Sequence, residues 1–388
     1  MGWFAVNACA SGPASTQKPA AGGQGAGASA PVSLGMPQIV TPPRITKLAP
    51  GEVEPPLNPA PNLLVDSYGR RHRDLRISLT DRCNLRCTYC MPEEGMDWIA
   101  AANMLTLPEM TRIAAVAVAC GVDEIRLTGG EPLMRPDIVA VVESLANLPG
   151  APEISMTTNG LRLDRLAPKL KAAGLTRFNV SLDTIDRDRY LKMTRRDRIH
   201  QVFAGLDAID AAGFTGTKLN AVLMTDMNED EAPTLLRFAL ERGYELRIIE
   251  QMPLDAGHSW SREGMVTADE ILASIEAEFA LTPVPARGAA PAERWYVNGT
   301  DATVGVIASV TRPFCGACDR IRLTSDGQLR NCLFARTETD LRSMLRSGCT
   351  DDDIATALGL SINQKLPGHG INDPDFIQPE RGMSAIGG

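Results

Sequence analysis

The sequence lacks three features that would place it in other classes of protein. It has no apolar run near the roughly 20 residues that a membrane helix needs. It has no basic excess, because 39 Lys and Arg are outnumbered by 47 Asp and Glu, for a net charge of −8. These absences argue against a membrane protein and against a nucleic-acid polymer as partner, although they leave room for a local basic pocket. Nine cysteines in 388 residues are also too few for a disulfide scaffold.

The N-terminal region differs in composition from the rest of the chain. Residues 1–62 contain 8 Gly and 11 Pro but only five charged residues, so we expect residues 1–65 to form a disordered extension. Met1–Ser11 has neither the basic segment nor the long apolar stretch of a secretory signal, so we expect a cytoplasmic location. An organelle address is the alternative, because the extension is poor in acidic residues. No function is assigned to this extension.

From Asp74 onward, short apolar segments alternate with amphipathic ones. The candidate strands are Leu75–Thr80, Asp123–Thr128, Glu153–Thr158, Arg177–Leu182, Thr217–Leu223 and Glu245–Glu250. The candidate helices between them are Pro108–Cys120, Pro136–Leu145, Asp164–Ala173, His200–Ala212 and Glu229–Arg242. This alternation predicts a parallel sheet with crossover helices. Periodicity alone leaves open whether the sheet is doubly wound or curled into a partial barrel.

The alternation stops after Met252, and the remaining sequence predicts a smaller α+β module. Its candidate helices are Thr267–Phe279, Thr337–Ser347 and Asp351–Leu358. Its candidate strands are Arg294–Val297, Thr303–Val310 and Arg320–Thr324. Asp326-Gly327 is typical of a hairpin turn, so we expect an antiparallel module. The predicted organisation is an extension over 1–65, a parallel α/β domain over 66–250 and a C-terminal module over 251–388.

Six of the nine cysteines form two close groups, and the first group follows the first candidate strand. Cys83, Cys87 and Cys90 have the spacing C-x3-C-x2-C, in the kind of loop where parallel sheets carry their binding sites. Three thiolates can hold three irons of a [4Fe–4S] cluster and leave the fourth iron open. A zinc knuckle is the alternative, but zinc needs a fourth ligand, and the nearest histidine, His72, lies eleven residues upstream of Cys83.

The second group has the spacing C-x2-C-x13-C and consists of Cys315, Cys318 and Cys332. Here Cys349 and His369 are candidate additional ligands, so zinc is a stronger alternative than at the first group. Arg320 and Arg322, however, fall on one face of the strand candidate that follows the second cysteine. This pair of guanidinium groups favours a phosphate-bearing ligand beside the second triad.

The first triad and the segments around it resemble the radical S-adenosylmethionine (SAM) enzymes. The aromatic residue Tyr89 before the last cysteine and the segment Gly129-Gly130-Glu131-Pro132 after the second strand carry this resemblance. It implies that the open iron binds SAM, and that one-electron reduction cleaves SAM to a 5′-deoxyadenosyl radical. It also implies cofactor contacts at Tyr89, Gly130, Ser181 and Met252.

Two such triads in one chain resemble a subfamily of these enzymes, the GTP 3′,8-cyclases of molybdenum cofactor synthesis. The resemblance covers roughly Leu75 to Gly388 and gives the N-terminal extension no counterpart. It implies two [4Fe–4S] clusters, the second of which binds the guanine of GTP. The residues that it assigns to GTP are Arg76, Arg126, Thr157, Lys218, Arg320, Ile321 and Arg322. It assigns the terminal Gly387-Gly388 a role as a tail that reaches into the active site.

The same resemblance implies a fold and a reaction. The fold is α/β, a partial (β/α)6 barrel of TIM type with the C-terminal α+β module closing the barrel opening. In the reaction, the radical removes the C3′ hydrogen of GTP, and the C3′ radical attacks C8 of guanine, so the enzyme is a lyase. The implied partners are an external electron donor, a second copy in a homodimer, and the cyclic pyranopterin monophosphate synthase that takes the product.

Two other functions remain open on the sequence. One is a radical enzyme that modifies a peptide and uses the second cluster as an auxiliary electron site. The other is a non-catalytic zinc-binding scaffold, to which Cys349 and His369 would contribute ligands.

Anaerobically purified protein is expected to be brown and to contain about eight irons per chain, because each triad predicts a four-iron cluster. Metal analysis together with the visible absorption spectrum measures this. Colourless protein that contains zinc would contradict the enzyme hypothesis.

Overall fold

The structure is a computed structural model that describes residues 64–255 and 257–387. The extension expected over residues 1–65 lies outside the described residues, apart from its last two positions. Of these two, Leu64 is buried and Val65 forms a β-bridge with Arg71. Gly388, which was assigned to the C-terminal tail, lies outside the described residues as well.

Six strands connected by helices form the first part of the described chain. The strands are β1 (Asp74–Ser78), β2 (Glu124–Thr128), β3 (Glu153–Thr158), β4 (Arg177–Ser181), β5 (Lys218–Leu223) and β6 (Glu245–Glu250). The helices are α1 (Leu107–Ala119), α2 (Ile138–Ala146), α3 (Leu163–Ala172), α4 (Arg187–Thr194), α5 (Ile199–Ala211) and α6 (Ala232–Glu241). Each strand pairs in parallel with the next one along the chain. This sequential order is that of a (β/α) barrel, because the order of a doubly wound sheet reverses.

The C-terminal residues extend the same sheet at both edges. The added strands are β7 (Leu281–Pro283), β8 (Glu293–Val297), β9 (Thr303–Ile307), β10 (Arg320–Leu323), β11 (Gln328–Arg330) and β12 (Thr339–Asp340). The added helices are α7 (Ala268–Glu276), α8 (Leu341–Arg346), α9 (Asp351–Asn363) and α10 (Met383–Ile386). The full order is β12-β11-β10-β1-β2-β3-β4-β5-β6-β9-β8-β7, so hydrogen bonds leave the barrel open between β12 and β7.

The pairing of these added strands differs in part from the sequence prediction. β10 pairs in parallel with β1, and β9 pairs in parallel with β6, so the expectation of an antiparallel module is wrong for these two strands. The outer pairs are antiparallel as expected. The hairpin predicted at Asp326-Gly327 joins β10 to β11, and Gly327 has the φ of +79° that suits such a turn.

Successive residues along the central strands face opposite sides of the sheet, one towards the helices and the next towards the barrel interior. Leu75 and Ile77 of β1, like Ile125 and Leu127 of β2, are fully buried in the hydrophobic core. Burying each of these side chains contributes about 1.5–3 kcal/mol. Arg76 and the other residues between them face the opposite side of the sheet, so the barrel interior is polar. Among residues 64–255 and 257–387, every helix is too short or too polar to cross a lipid bilayer.

Candidate active site

A cavity of about 310 Å³ lies inside the barrel, and both cysteine triads line it. The first triad reaches the cavity from the loop after β1, whereas the second reaches it from segments before β10 and after β11. Because β10 runs parallel to β1, the first triad lies at the carboxyl ends of the central strands and the second near their amino ends. The predicted ligands of the two clusters therefore face one interior space from opposite ends.

Burial sets the chemistry of the first triad. It raises the pKa of Cys83 to about 11 and the pKa of Cys90 to about 12, and it raises the pKa of Cys87 as well. The carboxylate of Glu131 further raises the pKa of Cys83, and that of Asp183 further raises the pKa of Cys87. Buried thiols of this kind lose their protons when a cationic metal compensates the thiolate charge. This set of donors fits an iron–sulfur cluster.

The glycine pair after β2 is needed because two loops approach each other closely. A Cβ on Gly129 would lie 2.6 Å from the carbonyl oxygen of Thr80, and a Cβ on Gly130 would lie 2.4 Å from the carbonyl oxygens of Asp81 and Arg82. The amide of Gly130 donates to the carbonyl oxygen of Thr80 at 2.6 Å. The glycines thus let the loop after β2 support the segment that leads into the first cysteine motif.

The carboxylate of Glu131 anchors this loop to β3. It accepts hydrogen bonds from Thr158 Oγ1 at 2.7 Å, from the amide of Asn159 at 2.8 Å and from the amide of Leu133 at 3.0 Å. Burial raises the pKa of Glu131 to about 7 despite these donors. The side chain therefore fixes the position of the segment that follows the glycine pair.

The residues that the sequence analysis assigned to SAM all line the cavity: Tyr89, Gly130, Ser181 and Met252. The hydroxyl of Tyr89 donates to Oδ2 of Asp183 at 2.8 Å. Asp183 also lines the cavity, and burial raises its pKa to about 6. Sequence analysis missed Asp183, although it lies only two positions after Ser181, in the loop that follows β4.

The second triad has a cationic environment. The sulfur of Cys318 accepts hydrogen bonds from Arg320 Nε and from Lys365 Nζ, each at 3.3 Å. Burial opposes ionisation of Cys318, but these two cations outweigh it and lower its pKa to about 6. Protein charge therefore compensates one thiolate of the second triad, whereas the first triad depends on the metal.

The two additional zinc ligands considered from the sequence do not join the second triad. His369 lines the cavity, but its Nε2 donates to the carbonyl oxygen of Ser309 at 2.9 Å and its Nδ1 accepts from the amide of Ile371 at 3.2 Å. Cys349 is absent from the residues that line the cavity, and its carbonyl oxygen accepts from Arg112. Within the described part of the chain, no three His, Cys, Asp or Glu side chains converge on a single metal ion.

Arginines lie between the two triads on the interior face of the sheet. Arg76 of β1 pairs in register with Arg126 of β2 and with Arg322 of β10, and all three line the cavity together with Arg320. Burial and the nearby arginines lower the pKa of Arg76 to about 10, although Asp74 opposes this. The carboxylate of Asp74 lies 3.6 Å from Arg76 and 3.8 Å from Arg126. Such a concentration of guanidinium groups fits a polyanion such as a triphosphate.

The remaining residues assigned to GTP differ in whether they line the cavity. Thr157 lines the cavity, but Lys218 and Ile321 are not among its lining residues. Lys218 is half-buried at the start of β5, and burial together with Arg247 and Arg177 lowers its pKa to about 8. The side chain of Ile321 is buried in the hydrophobic core, so only its backbone is available to a ligand.

Three polar residues that line the cavity carry no sequence motif, and the sequence analysis missed them: Arg247, Asn179 and Asn220. Asn220 pairs in register with Ser181 and with Arg247, which places it on the interior face. Among the described residues, the side-chain oxygens of Asn179 and Asn220 are buried without a hydrogen-bond partner, so they can accept from a bound nucleotide. The two-residue period of the strands could have identified them.

The C-terminal tail enters the barrel interior. Nη1 of Arg322 donates to the carbonyl oxygen of Gly387 at 2.5 Å. Gly387 has a φ of +86°, and a Cβ there would lie 2.5 Å from Thr128 Oγ1 and 2.9 Å from Ser78 Cβ. Only glycine fits this position, and the tail thereby contacts an arginine that was assigned to GTP.

Comparison with known families and solved structures gives the class of the protein. Residues 77–239 match the Radical SAM superfamily, and residues 244–371 match Molybdenum Cofactor Synthesis C. The structure of Streptococcus suis SuiB bound to S-adenosylmethionine has the same fold, with a TM-score of 0.55 at 14% identity over 81% of this chain and 77% of that chain. The complex of SuiB with the precursor peptide SuiA gives 0.54 at 15% identity over 77% and 68%. Fold and family match define a radical SAM enzyme.

Curated relatives give the family within this class. The GTP 3′,8-cyclase of Streptomyces coelicolor is 58% identical, over 84% of this chain and 97% of the relative. The GTP 3′,8-cyclase of Mycolicibacterium smegmatis is 54% identical over 85% and 93%, and the GTP 3′,8-cyclase 2 of Mycobacterium tuberculosis is 52% identical over 92% and 99%. The chain belongs to the GTP 3′,8-cyclase family, as its two cysteine triads predicted.

The match with the M. tuberculosis relative also corrects one expectation about the N-terminal extension. Residues 64–388 are 325 of 388 residues, or 84% of the chain, whereas this relative aligns with 92% of the chain. The alignment therefore includes part of the extension, so the expectation that the extension has no counterpart is wrong.

Gly130→Ala is expected to weaken iron binding at the first triad by about tenfold or more, as loss of support around metal ligands commonly does. The added Cβ would displace the backbone at Asp81 and Arg82, which leads into the motif. Iron content after dialysis against a chelator measures the effect, in protein whose second triad is replaced by alanine. Gly359→Ala is the matched control, because this helical position has open space around it. Equal iron retention in both variants would contradict the role of the glycine pair.

Proposed function

We propose that this protein converts GTP to (8S)-3′,8-cyclo-7,8-dihydroguanosine 5′-triphosphate, using two [4Fe–4S] clusters held by its two cysteine triads. The observation that carries the proposal is that six cysteines and five arginines line one cavity. The names of the curated relatives support GTP as the substrate. The conversion joins C3′ of the ribose to C8 of the guanine and keeps the triphosphate intact.

The carboxyl end of the barrel is the proposed SAM site. Cys83, Cys87 and Cys90 would each ligate one iron and leave the fourth open to SAM. When bound, the cluster and SAM supply a one-electron cleavage that protein side chains cannot perform. The residues proposed to contact SAM are Tyr89, Gly130, Ser181 and Met252. The hydrogen bond from Tyr89 to Asp183 orients the tyrosine at the edge of this site.

The amino end of the barrel is the proposed GTP site. The second triad, Cys315, Cys318 and Cys332, would ligate three irons and leave the fourth open to guanine. The side chains proposed to hold the triphosphate and ribose are Arg76, Arg126, Thr157, Lys218, Arg320 and Arg322, with the backbone of Ile321. Arginine binds phosphate oxygens through two parallel hydrogen bonds. A site inside the barrel would hold C3′ near the SAM site and keep water away from a reactive carbon radical.

The two alternatives from the sequence gain no support from the described residues. Both ring nitrogens of His369 are already hydrogen-bonded, which argues against a zinc ligand at that position. The arginine-rich interior suits a triphosphate better than a neutral peptide backbone. The likeness to SuiB concerns the fold, so it does not favour a peptide substrate.

The remaining expectations stay predictions. They are the external electron donor, the homodimer, transfer of the product to the cyclic pyranopterin monophosphate synthase, and the cytoplasmic location. A role for the tail at the triphosphate also stays a proposal, which the hydrogen bond between Arg322 and Gly387 supports.

Replacing the two triads by alanine is expected to separate two activities. Without Cys83, Cys87 and Cys90, cleavage of SAM to 5′-deoxyadenosine is expected to be abolished, because no cluster can bind there. Without Cys315, Cys318 and Cys332, GTP conversion is expected to be lost while reductive cleavage of SAM persists. Chromatography of the products from reconstituted protein measures both. Cys349→Ala is the control and is expected to keep both activities, because this cysteine lies outside the cavity lining. SAM cleavage that survives loss of the first triad would contradict the mechanism.

The affinity for GTP is expected to fall as pH rises through about 8. The pKa of Lys218 is lowered to about 8, so its ammonium is charged below this pH and neutral above it. Loss of a charge-assisted hydrogen bond costs about 1.5–3 kcal/mol, which raises Kd by about tenfold or more. Equilibrium binding between pH 7 and pH 9 measures the change. Lys218→Arg stays charged over this range and is expected to remove the pH dependence; an unaltered dependence in this variant would exclude Lys218 as its source.

A further inference from the structure

Lys365 contacts a predicted ligand of the second cluster, although nothing in the sequence motifs points to it. The residue is buried and lies just after α9. Its Nζ lies 3.3 Å from Cys318 Sγ, 2.7 Å from the carbonyl oxygen of Arg320 and 3.5 Å from Nδ1 of His72. An ammonium group has three hydrogen-bond donors, so these three contacts use all of them.

A buried network fixes the position of this ammonium. Because Lys365 donates to Nδ1 of His72, the proton of this fully buried imidazole lies on Nε2, which donates to Asp66 Oδ2 at 3.2 Å. Asp66 also accepts from Arg70 Nε at 2.5 Å. Nη1 of Arg70 in turn donates to the carbonyl oxygen of Cys315 at 2.8 Å. The residues before β1 therefore hold both Lys365 and the cysteine segment to which it points.

The three contacts of the Lys365 ammonium indicate which group compensates its charge. Burying an ammonium group costs free energy unless an anion compensates it. Of the three atoms that Lys365 contacts, only the sulfur of Cys318 becomes an anion, since the others are a carbonyl oxygen and a neutral imidazole nitrogen. An apolar side chain would fill the same space without this cost. The ammonium is therefore matched to a thiolate.

Among the described residues, no lysine or arginine donates a hydrogen bond to a sulfur of the first triad, although Arg86 donates to the carbonyl oxygen of Cys83 and lowers the pKa of that thiol. Cys83 Sγ accepts only from neutral donors, namely the amide of Leu85 at 3.5 Å and Nδ2 of Asn159 at 3.8 Å. The reduction potential of an iron–sulfur cluster depends on net charge nearby and on hydrogen bonds to its sulfurs. We therefore expect the two clusters to have different reduction potentials, because a lysine and an arginine donate to a sulfur of the second triad only.

We propose that Lys365 is a positioning residue of the second cluster, whose ammonium donates a hydrogen bond to the ligand sulfur of Cys318 and raises the reduction potential of that cluster. Positive charge and an N–H···S hydrogen bond stabilise the reduced cluster, because it carries one more negative charge than the oxidised cluster. The His72–Asp66 pair holds the ammonium in place. This inference rests on the proposed function, since it requires a cluster at the second triad.

Redox titration followed by electron paramagnetic resonance tests the inference. The parent protein has its first triad replaced by alanine, so that only the second cluster contributes, and no GTP is added. Lys365→Met is expected to shift the midpoint potential downward. Lys365→Arg keeps a charged donor, so its midpoint is expected to stay near that of the parent. Lys365→Gln keeps N–H donors without charge, so its midpoint is expected to fall between those of Lys365→Arg and Lys365→Met. Lys169→Met is the matched control, because this lysine lies exposed on α3 and does not contact Cys318, and its midpoint is expected to stay at the parent value.

The outcomes separate this inference from the two-cluster proposal. A parent protein that holds no iron at the second triad would overturn the two-cluster proposal itself. If iron is held there and Lys365→Met leaves the midpoint unchanged, the role of Lys365 is overturned while the two clusters stand. If Lys365→Met loses its iron, the midpoint potential of Lys365→Gln is compared with that of the parent instead. Equal midpoints would overturn the inference.

Discussion

The parallel pairing of β10 with β1 is the contact on which the candidate site depends. β1 leads at its carboxyl end into the loop with Cys83, and β10 begins two residues after Cys318. Because the two strands run side by side in the same direction, one triad lies at each end of a shared interior. The same register places Arg322 beside Arg76. Without this pair, the second triad would belong to a separate lobe and the six cysteines would not line one cavity.

The interior charge follows a repeated local pattern with one exception. Three strands begin with an acidic residue followed two positions later by an arginine on the same face, in the pairs Asp74–Arg76, Glu124–Arg126 and Glu245–Arg247. Each carboxylate partly compensates the arginine of its own strand. On β10, by contrast, Arg320 and Arg322 contact a cysteine sulfur and a tail carbonyl oxygen rather than a carboxylate. The Cys318 thiolate compensates Arg320 in turn, so Arg322 is the arginine of this group that keeps most charge for the proposed triphosphate.

The sequence predicted the features that depend on local patterns. The six strands of the barrel and the hairpin at Asp326-Gly327 follow from apolar runs and turn residues, which act over a few positions. The helix Arg187–Thr194 was missed because it is mostly polar and buries only Tyr190, Met193 and Thr194. The parallel pairing of β9 with β6 and of β10 with β1 was missed because each pair joins strands that are far apart in sequence. Lys365 was missed for the same reason, since its distance from Cys318 is set by the fold.

The two ends of the cavity differ in charge in a way that the net charge of −8 does not reveal. Two carboxylates, Glu131 and Asp183, lie near the first triad together with one guanidinium group, Arg86, whereas Arg320 and Lys365 lie against the second. Negative charge makes a cluster harder to reduce and therefore a stronger reductant, and positive charge does the opposite. If the proposed function holds, the more reducing environment lies where SAM would be cleaved. The cationic environment lies where the triphosphate would be held, so one charge asymmetry would serve both halves of the proposed reaction.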